Sequence, residues 1–135
     1  MTKKNRFKFA PERKEVEKQL DVVWAKSVKK LAGDKCEVCE KTERLNSHHL
    51  FSRVHKSTRW LVENGVCLCY GHHRWLAHGK DSEKFRDWVI NKRGQDEFDR
   101  LKIKAYGRAT HFSVAELLVL LDYSRNELKS IGDIW

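Results

Sequence analysis

The residues best suited to chemistry crowd into one short part of the chain. All four cysteines and six of the seven histidines fall between positions 36 and 78 of 135. Thiolates and imidazoles bind zinc well, and imidazole also exchanges protons near neutral pH. This stretch therefore predicts a metal-dependent centre, and the remaining sequence is expected to supply the elements that position it.

Two pairs of these residues have the spacing of a structural zinc site. Cys36-x-x-Cys39 supplies one pair and Cys69-x-x-His72 supplies the other, so together they make a Cys3His tetrahedron with no open position. Two disulfides are the alternative, but a Cys-x-x-Cys among histidines in a chain without signs of secretion favours metal. Cys67 competes with Cys69, and we interpret Cys67 as a small buried hydrophobic residue.

A second set of polar residues remains once zinc has taken His72. His48 and His49 come first, Asn64 follows, and His73 comes last. Phosphodiester hydrolysis needs a base that activates water and a cation that stabilises the developing charge. Three histidines and an asparagine can supply both. Taken singly, each of them is more often a packed or exposed side chain than a catalytic one.

The order of these motifs resembles that of the zinc-supported HNH endonucleases with the ββα-metal fold, especially the phage branch that includes recombination enhancement nucleases. The likeness covers about residues 36–90 and rests on these segments: Cys36-x-x-Cys39, His48-His49-Leu50, Arg59-Trp60, Asn64-Gly65-Val66 and Leu68-Cys69-x-x-His72-His73. It implies an α+β fold in which a small zinc-clamped ββα-metal centre is surrounded by α-helices. It also implies a DNA endonuclease that leaves 5′-phosphate and 3′-hydroxyl ends.

The resemblance implies a role for each matching residue. His49 would be the general base, His48 and His73 would ligate one divalent ion, and Asn64 would fix the hairpin loop and hence the base. We expect imidazoles 48, 49 and 73 to meet around that ion. His78 is a candidate third ligand, although it lies five positions after His73 and so falls on the far side of an ideal helix turn.

Two departures from the family pattern affect the metals. His72 provides the fourth zinc donor where many relatives have a cysteine. His48 stands where many relatives have an aspartate, so a nitrogen donor replaces a carboxylate. The catalytic ion is therefore left open among Mg²⁺, Mn²⁺, Ni²⁺ and Zn²⁺, with the last three gaining relative to magnesium.

The charge of the chain favours DNA as a partner. Lys plus Arg number 28 against 19 Asp plus Glu, a net charge of +9, and the first 35 residues carry +6 of it. Phosphate contacts of this kind have low sequence specificity and weaken with salt. Three side chains that flank the predicted cleft are expected to contact phosphate: Arg53, Arg59 and Arg74. A single active centre favours nicking over double-strand cleavage.

Periodicity predicts one domain whose first element is a helix. Residues 1–10 read as a basic arm, and residues 11–135 as a single domain with the nuclease centre at about 36–90. A helix is expected from Pro11 to Gly33 because apolar residues recur at helical spacing. These residues are Val16, Leu20, Val23, Trp24 and Leu31.

The centre itself should consist of a hairpin and a short helix. Extended segments are expected over 46–52 and 60–69, joined by a long basic loop, with a short helix over 72–78. Trp60 and Trp75 are expected to brace the hairpin and the short helix.

Three more helices are expected after the centre, over 82–93, 96–105 and 114–131. A Ser113-x-x-Glu116 capping box predicts the start of the last one. The residues expected on the buried faces of these helices are Phe85, Trp88, Val89, Phe98, Leu101, Ile103, Leu117, Leu118, Leu121, Leu128 and Ile131.

Two other functions compete with the nuclease. The chief rival is a non-catalytic zinc-stabilised DNA-binding module, which gives His49 no task. The other is a packaging or assembly partner of a phage, so a phage recombination or packaging protein is a candidate binding partner. The sequence has no run of about 18 apolar residues and no signal-peptide core. We therefore expect no membrane association and a cytoplasmic location, in the bacterial host if the protein is phage-encoded.

Overall fold

The computed structural model describes residues 12–132, and the predicted arm over 1–10 lies outside them. It combines helices with one two-stranded antiparallel sheet, which confirms the α+β class. In chain order the elements are α1 (Arg13–Leu31), β1 (Leu45–His49), α2 (Lys56–Arg59), a 3-10 turn (Val62–Asn64), β2 (Gly65–Cys69), a π-helical turn (His72–Ala77), α3 (Ser82–Arg93), α4 (Gln95–Tyr106) and α5 (Val114–Ser130). Within 12–132 no helix combines the length and apolarity needed to cross a membrane.

The hairpin lies between two pairs of helices. On one face α1 and α5 form a hydrophobic cluster that includes Cys67, and on the other face α3 and α4 form a second cluster that includes Val66 and Leu68. Both faces of β2 are therefore covered, and all five of its residues are buried. Because both faces are buried, β2 is apolar throughout, and polar residues do not alternate with apolar ones along it.

The strands are shorter than predicted because the segment between them folds into turns. The expected strand over 60–69 begins only at Gly65, and the one over 46–52 ends at His49. Hydrogen bonds from Leu61 N–H to Thr58 O and from Asn64 N–H to Leu61 O close successive tight turns. Trp60 is buried, as expected, but it packs from one of these turns and not from a strand.

Several residues expected on buried helix faces are exposed. Trp75 is 67 % exposed and does not brace the short helix as predicted. The others are Leu31, Ile103, Leu118 and Ile131. Leu31, Ile103 and Ile131 lie in the last turn of their helices or directly after it, whereas Leu118 lies within α5. The capping box of α5 is present, with Glu116 N–H donating to Ser113 Oγ.

Gly65 allows α1 to lie directly against the end of the hairpin. A Cβ at this position would overlap Val28 and would lie only 2.9 Å from Cζ2 of Trp24. In the sheet Gly65 is the partner of His49. The missing side chain therefore leaves the space beside His49 that Trp24 occupies.

Candidate functional site

The two predicted zinc half-sites meet in space. Sγ of Cys39 lies 3.8 Å from Sγ of Cys69, and Nδ1 of His72 lies 3.3 Å from Cys69 Sγ and 3.7 Å from Cys36 Sγ. A tetrahedral zinc with Zn–S of about 2.3 Å and Zn–N of about 2.05 Å has S–S edges of about 3.8 Å and S–N edges of about 3.6 Å. The quartet therefore has the dimensions of a tetrahedral metal site and can hold an ion.

The backbone around Cys36 lowers the pKa of its thiol and so favours the thiolate form that binds metal. Cys36 N–H donates to Lys41 O and Glu40 N–H donates to Cys36 O, so the chain turns tightly between the first two cysteines. Burial raises the pKa of the Cys36 thiol, but backbone N–H groups, first that of Cys69, outweigh burial and bring it down to about 6. A thiolate is the form that binds metal.

Cys67 is separate from this quartet, as we interpreted it. Its side chain is fully buried in the cluster between α1 and α5. Burial, followed by the nearby Glu37 carboxylate, raises the pKa of the Cys67 thiol to about 11. It therefore packs as a neutral thiol while its N–H donates to Glu37 Oε2 at 2.7 Å.

Three imidazoles form a second candidate metal site: His48, His73 and His78. Nε2 of His73 and Nε2 of His78 are 3.1 Å apart, and the His48 ring lies 5.2 Å and 4.8 Å from theirs. Two ligands about 2.1 Å from a six-coordinate ion lie about 3.0 Å apart at adjacent positions. An N–H···N hydrogen bond has a similar length, so the third ring, and not the distance alone, identifies the site.

The protonation of His48 and His73 suits metal binding. Burial, then the neighbouring His78 and His73, lowers the pKa of His48 to about 3. Burial, then His78, also lowers the pKa of His73. Uncharged rings present the nitrogen lone pairs that a cation requires.

A π-helical turn brings His78, the candidate third ligand, to the side of His48 and His73, although a step of five residues falls on the far side of an ideal α-helical turn. The segment His72–Ala77 does not follow α-helical spacing, and His78 N–H donates to His73 O at 3.2 Å. This i to i+5 hydrogen bond widens the turn, so residues five apart come to one side. Gly79 follows because a Cβ there would overlap the carbonyl of Trp75.

His49 does not join His48 and His73, which corrects the expected meeting of imidazoles 48, 49 and 73. Adjacent strand residues face opposite sides, so His49 faces α1 while His48 faces α3. The His49 ring stacks on Trp24, with centroids 3.8 Å apart and an interplanar angle of 6°. His49 is nevertheless at the end of β1, directly next to the residue that the imidazole cluster uses.

The surroundings of His49 define which nitrogen is free. Its Nε2 lies 2.9 Å from the backbone oxygen of Arg59, which can only accept a hydrogen bond. Nε2 therefore carries the hydrogen, and Nδ1 of the neutral ring keeps the lone pair. Burial lowers the pKa of His49, while the hydrogen bond to Arg59 O opposes that effect.

Asn64 stabilises the loop that contains Arg59, whose backbone oxygen accepts the hydrogen bond from His49. Its side chain is fully buried; Nδ2 donates to Phe51 O at 3.0 Å and Thr58 O at 3.1 Å, and Oδ1 accepts from Phe51 N–H at 2.8 Å. Thr58 immediately precedes Arg59. Asn64 is thus more than a turn residue, because it joins the two ends of the loop beside His49.

We expect Asn64→Ala to destabilise the protein by about 3 kcal/mol, because it leaves the N–H and C=O of buried Phe51 without their side-chain partner at a cost of about 1–3 kcal/mol each, and removes one of the hydrogen bonds that Thr58 O accepts. The measurement is the free energy of unfolding in urea. Asn46→Ala is the control, since Asn46 makes a single exposed hydrogen bond of 3.3 Å to Arg44 O. Equal stabilities for the two variants would contradict this role of Asn64.

Two of the three arginines expected to contact phosphate bind Asp21 of α1. Arg59 donates from Nε and Nη2 at 3.1 and 2.8 Å, Arg53 donates from Nη2 at 3.1 Å, and Trp60 Nε1 donates at 2.8 Å. Arg59 is 13 % exposed, so it is an internal ion-pair partner and not a free cation at the cleft. Arg74 remains exposed and donates to the Tyr70 hydroxyl at 2.8 Å.

Sequence reasoning missed Asp21 and the stacking role of Trp24. The two residues are three apart on α1 and face the hairpin loop, where they contact Arg59 and His49. A carboxylate one turn before a buried tryptophan is the only sequence signal for this contact.

Comparisons with protein-family models, curated proteins and solved structures find no match to this chain.

Proposed function

We propose that the protein is a metal-dependent DNA endonuclease of the HNH type, which hydrolyses phosphodiester bonds and nicks DNA with low sequence specificity. One observation carries the proposal: of two consecutive residues of β1, one belongs to a cluster of three imidazoles and the next has a stacked, hydrogen-bonded imidazole. His48 belongs to the three-imidazole cluster. Nδ1 of His49 keeps its lone pair because Nε2–H donates to Arg59 O, and the His49 ring stacks on Trp24.

His48, His73 and His78 would hold a divalent ion, namely Mg²⁺, Mn²⁺, Ni²⁺ or Zn²⁺, among which three nitrogen ligands disfavour magnesium. When bound, such an ion supplies charge stabilisation for the attacked phosphate and the leaving oxygen. The chain itself supplies the base. His49 Nδ1 takes a proton from water, and Arg59 O, which accepts from Nε2–H, stabilises the imidazolium that results.

The remaining residues act as positioning groups. Trp24 fixes the plane of the His49 ring, and Asn64 fixes the loop that presents Arg59 O. A structural Zn²⁺ held by the Cys36, Cys39, Cys69 and His72 quartet would clamp the end of β2 to the π-helical turn. Because His73 follows His72 directly, this clamp also sets the position of one ligand of the catalytic ion.

The rival function is a zinc-stabilised module that binds DNA without cutting it, alone or as a packaging or recombination partner in a phage. The net charge of +9 suits this function as well. It has no use, however, for three imidazoles gathered beside a fourth. We therefore propose that DNA is cleaved, and not only bound.

The test is relaxation of a supercoiled plasmid by zinc-loaded protein with each of the four ions. We expect wild type to nick with at least one ion, and His73→Ala to lose about 100-fold or more because it removes one of three ligands and the charge stabilisation that the ion provides. Asn46→Ala should nick like wild type, since Asn46 lies outside both clusters. Wild type that retards DNA in a gel but nicks with none of the ions would contradict the proposal and favour the binding module.

A further inference from the structure

One cavity adjoins the imidazole cluster, a second lies further from it, and a single residue, Tyr106, lines both. One cavity, of about 570 Å³, starts at His48 and has Phe51, Phe85 and Phe98 in its wall. The other, of about 380 Å³, lies between the loop before α2 and the segment after α4. Both volumes fall within the roughly 300–1,000 Å³ of ligand pockets. Because the two cavities meet at Tyr106, we treat them as one groove that runs from His48 to the segment after α4.

Tyr106 is an exposed aromatic ring with a fixed orientation. It is 62 % exposed at the end of α4, yet its ring contacts Phe51 and His55 edge-on, with centroids 5.7 Å and 4.8 Å away. Phe98, Lys102 and Tyr106 are spaced by four, so they share one face of the helix. A planar group lying on this ring would have a cation one turn along the same face.

The groove is suited to a polyanion. Of the described residues that line the two cavities, none is acidic, although the chain has 19 acidic side chains. Besides His48, the basic ones are His55, Lys56, Arg86, Lys102, Arg108 and His111. Lys56 is paired with Glu17 at 2.8 Å, and Arg86 lies over the Phe98 ring. Lys102 and Arg108 form no ion pair within residues 12–132.

We infer that this groove binds an unpaired DNA strand, with a base stacked on Tyr106 and an adjacent phosphate in the basic cavity beside Arg108. The inference rests on the proposed function, because it is the cleaved strand that would continue from the imidazole cluster into the groove. Stacking on a side chain requires a base whose face is free, and bases within a duplex are already stacked on their neighbours. The preferred substrate is therefore single-stranded, frayed or branched DNA.

Binding can be measured without cleavage. Fluorescence anisotropy of a labelled 20-nucleotide single strand and of a hairpin duplex would be compared in the His73→Ala background, with zinc in the Cys3His site and no other divalent ion added. We expect the single strand to bind about ten times more tightly than the duplex. Tyr106→Ala should weaken single-strand binding by about 5-fold to 150-fold, the value of one base–aromatic stack. Tyr106→Phe should keep most of it.

Matched variants separate the groove from general effects. Tyr123 is 61 % exposed on α5 and lines neither cavity, so Tyr123→Ala should bind like its parent. Arg108→Ala should reduce the slope of log affinity against log salt by about 0.7 for the single strand, because one phosphate contact is lost. Arg100→Ala removes an exposed charge that lines neither cavity and should leave the slope unchanged.

The experiments give different results if the proposed binding groove is wrong and if the proposed nuclease function is wrong. Equal affinities for single strand and duplex, with Tyr106→Ala no weaker than Tyr123→Ala, would overturn the groove whether or not wild type cuts DNA. Absence of cleavage of every substrate by wild type would overturn the proposed function instead. Preferential cleavage of branched or single-stranded DNA that Tyr106→Ala abolishes, while duplex nicking persists, would support both.

Discussion

His49→Ala should reduce the rate of DNA cleavage by about 100-fold to 10,000-fold, the usual contribution of a general base. The residue offers Nδ1 as the acceptor because Arg59 O holds its other nitrogen, and stacking on Trp24 prevents the ring from rotating away. The measurement is the single-turnover rate of nicking at saturating divalent ion. Binding of DNA in a gel should persist.

Two further measurements, the ion requirement and rescue by added imidazole, identify the cause of that loss. His49 is outside the imidazole cluster, so the ion concentration at half-maximal rate should stay the same in His49→Ala and rise in His73→Ala. Added imidazole should restore part of the rate of His49→Ala, because the missing group is a base. An unaltered cleavage rate in His49→Ala would rule His49 out as the base, and an altered ion requirement would move it to the metal site.

Loss of the zinc clamp should have the largest effect on folding. Apparent zinc-binding energies of structural sites are about 10–16 kcal/mol, as large as the whole stability of a typical domain at about 5–15 kcal/mol. Cys39→Ser should therefore lose bound zinc and unfold the hairpin and the π-helical turn at room temperature. Zinc content and circular dichroism measure the two effects.

Cys67→Ser is the matched control for Cys39→Ser. Cys39 is exposed, so its replacement buries no hydroxyl, and unfolding must come from the lost ligand. Cys67 is buried but lies outside the quartet, so its replacement should lower stability while one zinc per chain remains bound. Full zinc content and a native spectrum in Cys39→Ser would contradict the clamp.

Much of the architecture could be predicted from local patterns. The periodicity of α1 and the capping box of α5 placed both helices to within about two residues. The two-residue spacing of each half-site similarly predicted the Cys36, Cys39, Cys69 and His72 quartet, which the structure brings together. Spacing was sufficient in these cases because a helix turn or a tight knuckle involves only a few neighbouring residues.

The strand pattern could have improved one prediction. Consecutive residues of a strand face opposite sides, so His48 and His49 could not both point at one ion. We expected His48, His49 and His73 to meet because the motifs resemble those of the HNH endonucleases, although the strand rule argues against it. The structure instead supplies His78 as the third member, through a π-helical turn whose spacing the short sequence His72–Ala77 did not reveal.

The rest depended on contacts between distant parts of the chain. Asp21 meets Arg59 from 38 residues away, and Tyr106 reaches His55 only because α4 packs beside the loop before α2. No local spacing determines such pairs, since they follow from how the helices pack around the hairpin. Residue types and short spacings thus predicted which chemistry to look for, whereas packing decided which histidines come together, which arginines are already paired, and where an open groove remains.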